Sequence, residues 1–145
     1  MKFPSIPVNI LLVEDNDADI RLLKEAFKES KLTINITVAI DGEQALNYLK
    51  KQPPYESVLT PNLILLDFNL PKIDGKQVLA VIKSSEKLKR IPLLILTSSN
   101  NEYEVLEQHN LTKDQYLIKS LDFSGYQKTI KQIEDFWIQS NAATA

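Results

Sequence analysis

The sequence predicts an α/β fold: a doubly wound five-stranded parallel sheet in the order 2-1-3-4-5. Three observations carry this. Short apolar runs alternate with helical patterns five times along the chain. Three of the runs contain continuous apolar stretches, Ile10–Val13, Leu63–Leu66 and Leu93–Leu96, as interior parallel strands covered on both faces require. The other two look like edges. In Ile34–Ile40, Ile34, Ile36 and Val38 alternate with Asn35 and Thr37, and Tyr116–Ile118 is very short. With right-handed crossovers and the second and fifth strands outermost, the order follows.

The first strand is expected over Val8–Val13. The helix after it carries Ile20, Leu23, Ala26 and Phe27 at steps of three and four, one buried stripe. Asp41 is a candidate N-cap with Gln44 at the capping-box position, opening a helix that buries Ala45, Leu46 and Leu49. The segment from Lys51 to Pro61 carries three prolines and reads as a surface loop. Val78, Leu79 and Ile82 follow Gly75 on a third helix. The helix over Glu102–Asn110 is weakly patterned, with chiefly Tyr103, Val105 and Leu106 to bury. Phe123, Tyr126, Ile130, Ile133 and Trp137 form the clearest stripe, on a closing helix. One domain is expected over 7–139, with 140–145 a short flexible tail.

Composition narrows the function classes. The chain has 145 residues, 43% apolar and 25% charged, which is globular rather than disordered. Lys plus Arg number 17 against 19 for Asp plus Glu, a balance that argues against a nucleic-acid partner. There is no cysteine and the only histidine is His109, so thiolate and multi-histidine metal sites are excluded. No apolar run approaches the ~20 residues that span a bilayer, and the first residues lack the apolar core of a signal peptide. The expectation is a cytoplasmic protein with no membrane partner.

The strand ends carry the chemistry. Glu14 and Asp15 follow the first strand, Asp67 the third, Thr97 the fourth and Lys119 the fifth. Ligands of open α/β sheets bind at these carboxyl ends. Three carboxylates gathered there repel unless a cation joins them, and oxygen ligands suit Mg²⁺. Asp15 and Asp67 are the expected direct ligands, with the backbone carbonyl of Asn69, and Glu14 acts through a metal-bound water. Asp67, on the central strand, can then act as a nucleophile toward phosphorus. Lys119 neutralises phosphate oxygens and the Thr97 hydroxyl donates to another.

Together, Ile10-Leu11-Leu12-Val13-Glu14-Asp15-Asn16, Asp67-Phe68-Asn69-Leu70-Pro71-Lys72-Ile73-Asp74-Gly75, Leu96-Thr97-Ser98 and Tyr116-Leu117-Ile118-Lys119 resemble the receiver domain of two-component response regulators, a CheY-like, flavodoxin-like fold. The resemblance covers about residues 7–139. It implies a phosphorylation switch: a sensor histidine kinase phosphorylates Asp67 with Mg²⁺ required, and Thr97 and Tyr116 shift together to report it. It implies no enzyme toward external substrates, only self-catalysed gain and loss of the phosphoryl group. The long loop before the third strand, Leu88-Lys89-Arg90-Ile91-Pro92, Lys119-Ser120 and Phe136-Trp137 are similar to the stand-alone response regulators paired with bacterial phytochromes, which implies a phytochrome as the kinase. One position departs from the family: most receivers have a cis proline after the lysine, and here it is Ser120. A cis bond without proline costs ~2.5–4 kcal/mol. Lys119 is nonetheless expected to reach the phosphate.

Two other functions compete. A flavin-binding protein shares this strand order, but the acidic Glu14-Asp15-Asn16-Asp17 loop would repel a flavin phosphate. A receiver-fold interaction module that is never phosphorylated would have no use for the intact acidic set and Lys119. Tyr116 on an edge strand also fits plain packing with its hydroxyl in water. Phe136 and Ile138 lie off the closing helix's stripe and are expected to leave apolar surface on its far side. This predicts a homodimer through the face of the fourth helix, the fifth strand and the closing helix.

Overall fold

The computed structural model describes residues 7–68, 70, 74–97, 107–108, 110–120 and 122–144, with side chains to residue 140. Its strands are β1 (Val8–Val13), β2 (Ile34–Ala39), β3 (Leu63–Asp67), β4 (Leu93–Thr97) and β5 (Tyr116–Ile118). They form one parallel sheet in the order β2-β1-β3-β4-β5. Four helices are described: α1 (Asp17–Phe27), α2 (Gly42–Leu49), α3 (Gly75–Ser84) and α4 (Phe123–Thr144). Most of the Glu102–Asn110 helix, with His109, lies outside the described residues.

Alternation along each strand sends side chains to two cores. Leu11, Val13, Ile64, Leu66 and Ile95 meet α2 and α3, while Ile10, Leu12, Leu63, Leu65, Leu94 and Leu96 meet α1 and α4. Every residue of β3 and β4 is buried, as two-sided cover demands. On β2, Asn35 and Thr37 are exposed and the intervening residues half-buried, the edge pattern expected. The strand stops at Ala39, one residue short of the sequence expectation, and Ile40 is 53% exposed. Two other strands run one residue longer, so Asp67 and Thr97 are their last residues.

The helices start where their caps dictate. The Asn16 side chain accepts the Asp19 N–H at 2.9 Å and so fixes the first turn of α1 beside the crevice. Asp41 accepts from the Gln44 N–H at 2.7 Å, but Gln44 reaches back to the Ile40 N–H rather than to Asp41. Asp74 and Gln77 make a complete capping box at α3. At the other end of the molecule, Glu134 of α4 accepts from the Ser30 hydroxyl and the Lys31 N–H, tying the end of α1 to the closing helix.

Three expectations for α4 need correction. Tyr126, Ile130 and Ile133 are buried, but Phe123 is 36% exposed; it is the helix's first residue, where the chain is only beginning to meet the sheet. Phe136 packs partly buried against the α1–α4 core instead of facing away, because it follows Ile133 by three residues and so shares its side of the helix. Ile138 alone stays exposed, at 41%. The backbone is helical to Thr144, through most of the segment expected to be a flexible tail.

Gly75 holds α3 against the end of β3. Its N–H donates to the Phe68 carbonyl at 3.2 Å, and a Cβ there would collide with the Phe68 Cα and the Asp67 carbonyl oxygen. Gly75→Ala therefore has to push α3 away from the strand end that carries Asp67. We expect it to destabilise the protein by ~1–3 kcal/mol, the usual cost of overpacking, against ~1 kcal/mol for loss of the cap in Asp74→Ala. Urea unfolding midpoints at constant slope measure both.

Candidate functional site

β1 and β3 are neighbours, so their ends deliver Glu14, Asp15 and Asp67 to one place. One carboxylate oxygen from each lies within 4.8 Å of the others. Glu14 is 0% and Asp67 1% exposed, while Asp15 is exposed. Buried carboxylates this close require positive charge. β5 supplies it from two strands away. The Lys119 N–H donates to the Thr97 carbonyl at 2.8 Å, prolonging the β4–β5 ladder by one residue. From there the side chain crosses the end of the sheet. Its ammonium lies 2.9 Å from Glu14, 3.1 Å from Asp67 and 3.0 Å from Asp19. The one cis peptide among the described residues joins Pro53 and Pro54, so Lys119 reaches Asp67 with a trans bond to Ser120.

The charges show in the ionisation of the groups. Burial, reinforced by the Asp67 charge, pushes the Glu14 carboxyl up to about 7 despite its hydrogen bond from Lys119. Burial alone would lower the Lys119 ammonium. Hydrogen bonds to Glu14 and Asp19, with the charges of Asp67 and Glu14, override this and raise it above the ordinary lysine value. Lys119 does not saturate the cluster. Both Glu14 oxygens are 2.9 Å from the ammonium, but only Oε1 is aligned to accept, and buried Oε2 has no hydrogen-bond donor among the described residues. A buried oxygen held by ion pairing alone, beside two further carboxylates, belongs to an all-oxygen donor set that fits a hard divalent cation.

Thr97 is 1% exposed at the end of β4, paired with Ile118 of β5. Tyr116 lies two residues back along β5, 7% exposed, in the core with Ile95 and Leu111. The phenol is therefore packed and not the solvent-facing edge residue that its strand position allows. Asn69, whose carbonyl was expected among the ligands, lies outside the described residues.

Two residues of the site are missing from the sequence expectations. Asp19 takes the third contact with Lys119, and its other oxygen accepts the Tyr126 hydroxyl at 3.0 Å. Burial, then the hydrogen bond and charge of Asp19, raises the Tyr126 phenol above its ordinary value. A signal was present: Asp19, Leu23 and Ala26 follow the spacing of one helix face, so Asp19 is an acid on an apolar stripe. Tyr126 likewise puts a phenol on a core stripe, where it needs a partner.

Known proteins resemble this chain in sequence and fold. The response regulator receiver domain model matches residues 10–131. Response regulator Rcp1 of Synechocystis sp. is 45% identical over 134 residues, covering 92% of this chain and 91% of that protein. The crystal structure of the phosphorylated cyanobacterial phytochrome response regulator RcpA superposes with a TM-score of 0.81 at 44% identity, over 90% of this chain and 93% of the other. The Mn²⁺-bound form of Rcp1 superposes with a TM-score of 0.80 at 46% identity, over 90% and 94%. With its five-stranded sheet, its acidic cluster and its lysine at the expected strand ends, the chain belongs to the response regulator receiver family.

Proposed function

We propose that this receiver domain is a phosphorylation switch that accepts a phosphoryl group on Asp67 from a sensor histidine kinase of the phytochrome kind. The observation that carries it is the position of Asp67. It ends the central strand, buried, with the Lys119 ammonium 3.1 Å away and the oxygens of Glu14 and Asp15 beside it.

Asp15 and Asp67 would ligate Mg²⁺ directly, with the Asn69 carbonyl, and Glu14 would hold a metal-bound water. When bound, the ion supplies charge neutralisation for the phosphoryl oxygens. The chain's own groups do the rest. An Asp67 oxygen forms a bond to phosphorus as the bond from phosphorus to the kinase's histidine nitrogen breaks, the nitrogen keeping the electron pair. Lys119 follows the new negative charge onto a phosphoryl oxygen, and the Thr97 hydroxyl donates to another. Hydrolysis reverses the state: water attacks phosphorus, the Asp67–phosphorus bond breaks, and carboxylate and inorganic phosphate remain. The protein thus acts on itself and on no external substrate. Tyr116, on the strand that leads into the lysine, shifts with Thr97 to report the event. Partner binding then changes on the face that includes β5 and α4, where Ile118 is exposed and where a homodimer would form. Among the described residues no helix is long and apolar enough to cross a membrane. A cytoplasmic location is part of this proposal.

Incubation with phosphoramidate and Mg²⁺ should add one phosphoryl group by mass, and none in Asp67→Ala or with chelator. A wild type that accepts none would leave the unphosphorylated interaction module as the better reading. Asp15→Asn should weaken Mg²⁺ binding at least about tenfold by calorimetry, since loss of even an outer partner of a ligand costs that much. Sedimentation across concentrations, with and without phosphoryl group, should reveal a dimer; a monomer throughout would remove it.

A further inference from the structure

Nothing in β5 by itself determines where the Lys119 ammonium goes. The strand has three residues, lies at the sheet edge, and ends one residue before a flexible four-carbon stem. Yet the ammonium side chain is only 14% exposed and touches three carboxylates. Glu14 and Asp67 belong to the cluster that fits a cation, so their hold on Lys119 competes with that cation for the same oxygens. Asp19 is outside that cluster. It is fixed independently, from below by its place in the first turn of α1 and from the side by the Tyr126 hydroxyl.

The same turn of α4 also holds the other end of the lysine. Gly125 has no room for a Cβ, because the Ser120 side chain occupies that position. The Gly125 N–H donates to Asp122, and the Asp122 N–H in turn donates to the Ser120 hydroxyl. Adjacent residues of α4 therefore engage Lys119 twice: Gly125 through the backbone that follows it, and Tyr126 through Asp19 at its head.

We propose that Asp19 and Tyr126 are positioning residues that aim the Lys119 ammonium at the oxygens of Asp67. In a chain with serine after the lysine, this side-chain relay supplies the direction. The alternative is that Asp19 merely satisfies a buried phenol. That would affect stability but not the lysine.

The consequence for phosphorylation rests on Asp67 being the phosphoacceptor; the positioning itself does not. At saturating Mg²⁺, Asp19→Asn should slow phosphorylation by phosphoramidate about tenfold, and Tyr126→Phe, which leaves every charge in place, should slow it several-fold, the scale expected for a misplaced catalytic group. Both losses should vanish in a Lys119→Met background, because the residues act through the lysine. Equal fold losses with and without Lys119 would overturn the proposal. A second measurement needs no phosphorylation. The shielded ammonium should give a slowly exchanging Nζ resonance in the metal-free wild type, assigned by its loss in Lys119→Met. It should disappear in Asp19→Asn and weaken in Tyr126→Phe. A resonance unchanged in Asp19→Asn, or none in the wild type, would overturn the positioning role. If the wild type takes up no phosphoryl group but the resonance behaves as expected, it is the phosphoacceptor reading that fails.

Discussion

A single ammonium group makes the crowded end of this sheet possible. Glu14 and Asp67 are almost wholly buried, Asp19 is mostly so, and all three converge on Lys119 within 3.1 Å. Separated from a cation, such charges repel strongly in a low-dielectric setting. The lysine comes from the far edge of the sheet, so the two edges of the crevice are joined by charge as well as by the strand ladder. It leaves one buried Glu14 oxygen ion-paired but without an aligned hydrogen-bond donor among the described residues. The resting arrangement is thus compensated but incomplete, the condition under which a divalent cation gains most from entering.

The parallel topology makes this convergence possible. Every strand of the sheet runs the same way, so five carboxyl ends share one edge, and the central position of β3 sets Asp67 between the acidic side and the lysine side. Complete burial of β3 and β4 fixes those ends firmly, since their side chains interlock with helices on both faces. Gly75 adds a constraint at short range by letting α3 start against the very backbone that carries Asp67. The helix α4 enters the site through Tyr126 while its remaining stripe packs on the sheet. An event at the carboxylates therefore has a direct physical route to that helix.

Much of this was legible in the residues. Continuous apolar runs identified the interior strands, and alternation identified β2 as an edge, because burial on one face or two leaves different periods. The acidic pair, Asp67, Thr97 and Lys119 were found because each immediately follows such a run. Asp19 was not found, because an acid inside a helical stripe reads as an interruption until its partner is known, and Tyr126 was found only as a core residue, because its hydroxyl's partner lies on another helix. Phe136 was assigned to the wrong side of α4: a stripe drawn through Ile133 and Trp137 omits the residue between them that also turns inward. Helical structure to Thr144 was likewise illegible, since small polar residues give no periodic signal.

The sequence by itself determined the fold class, the strand order and the residues at the strand ends, for these depend on local burial and on the direction of the chain. Only the tertiary structure decided how the charges pair. Lys119 is separated from Glu14 by 105 positions and from Asp19 by 100. No local rule specifies which carboxylates a long side chain will meet across the end of a sheet. That is set by the packing of α1 and α4 on one face, which brings Tyr126 to Asp19 and Asp19 to the lysine.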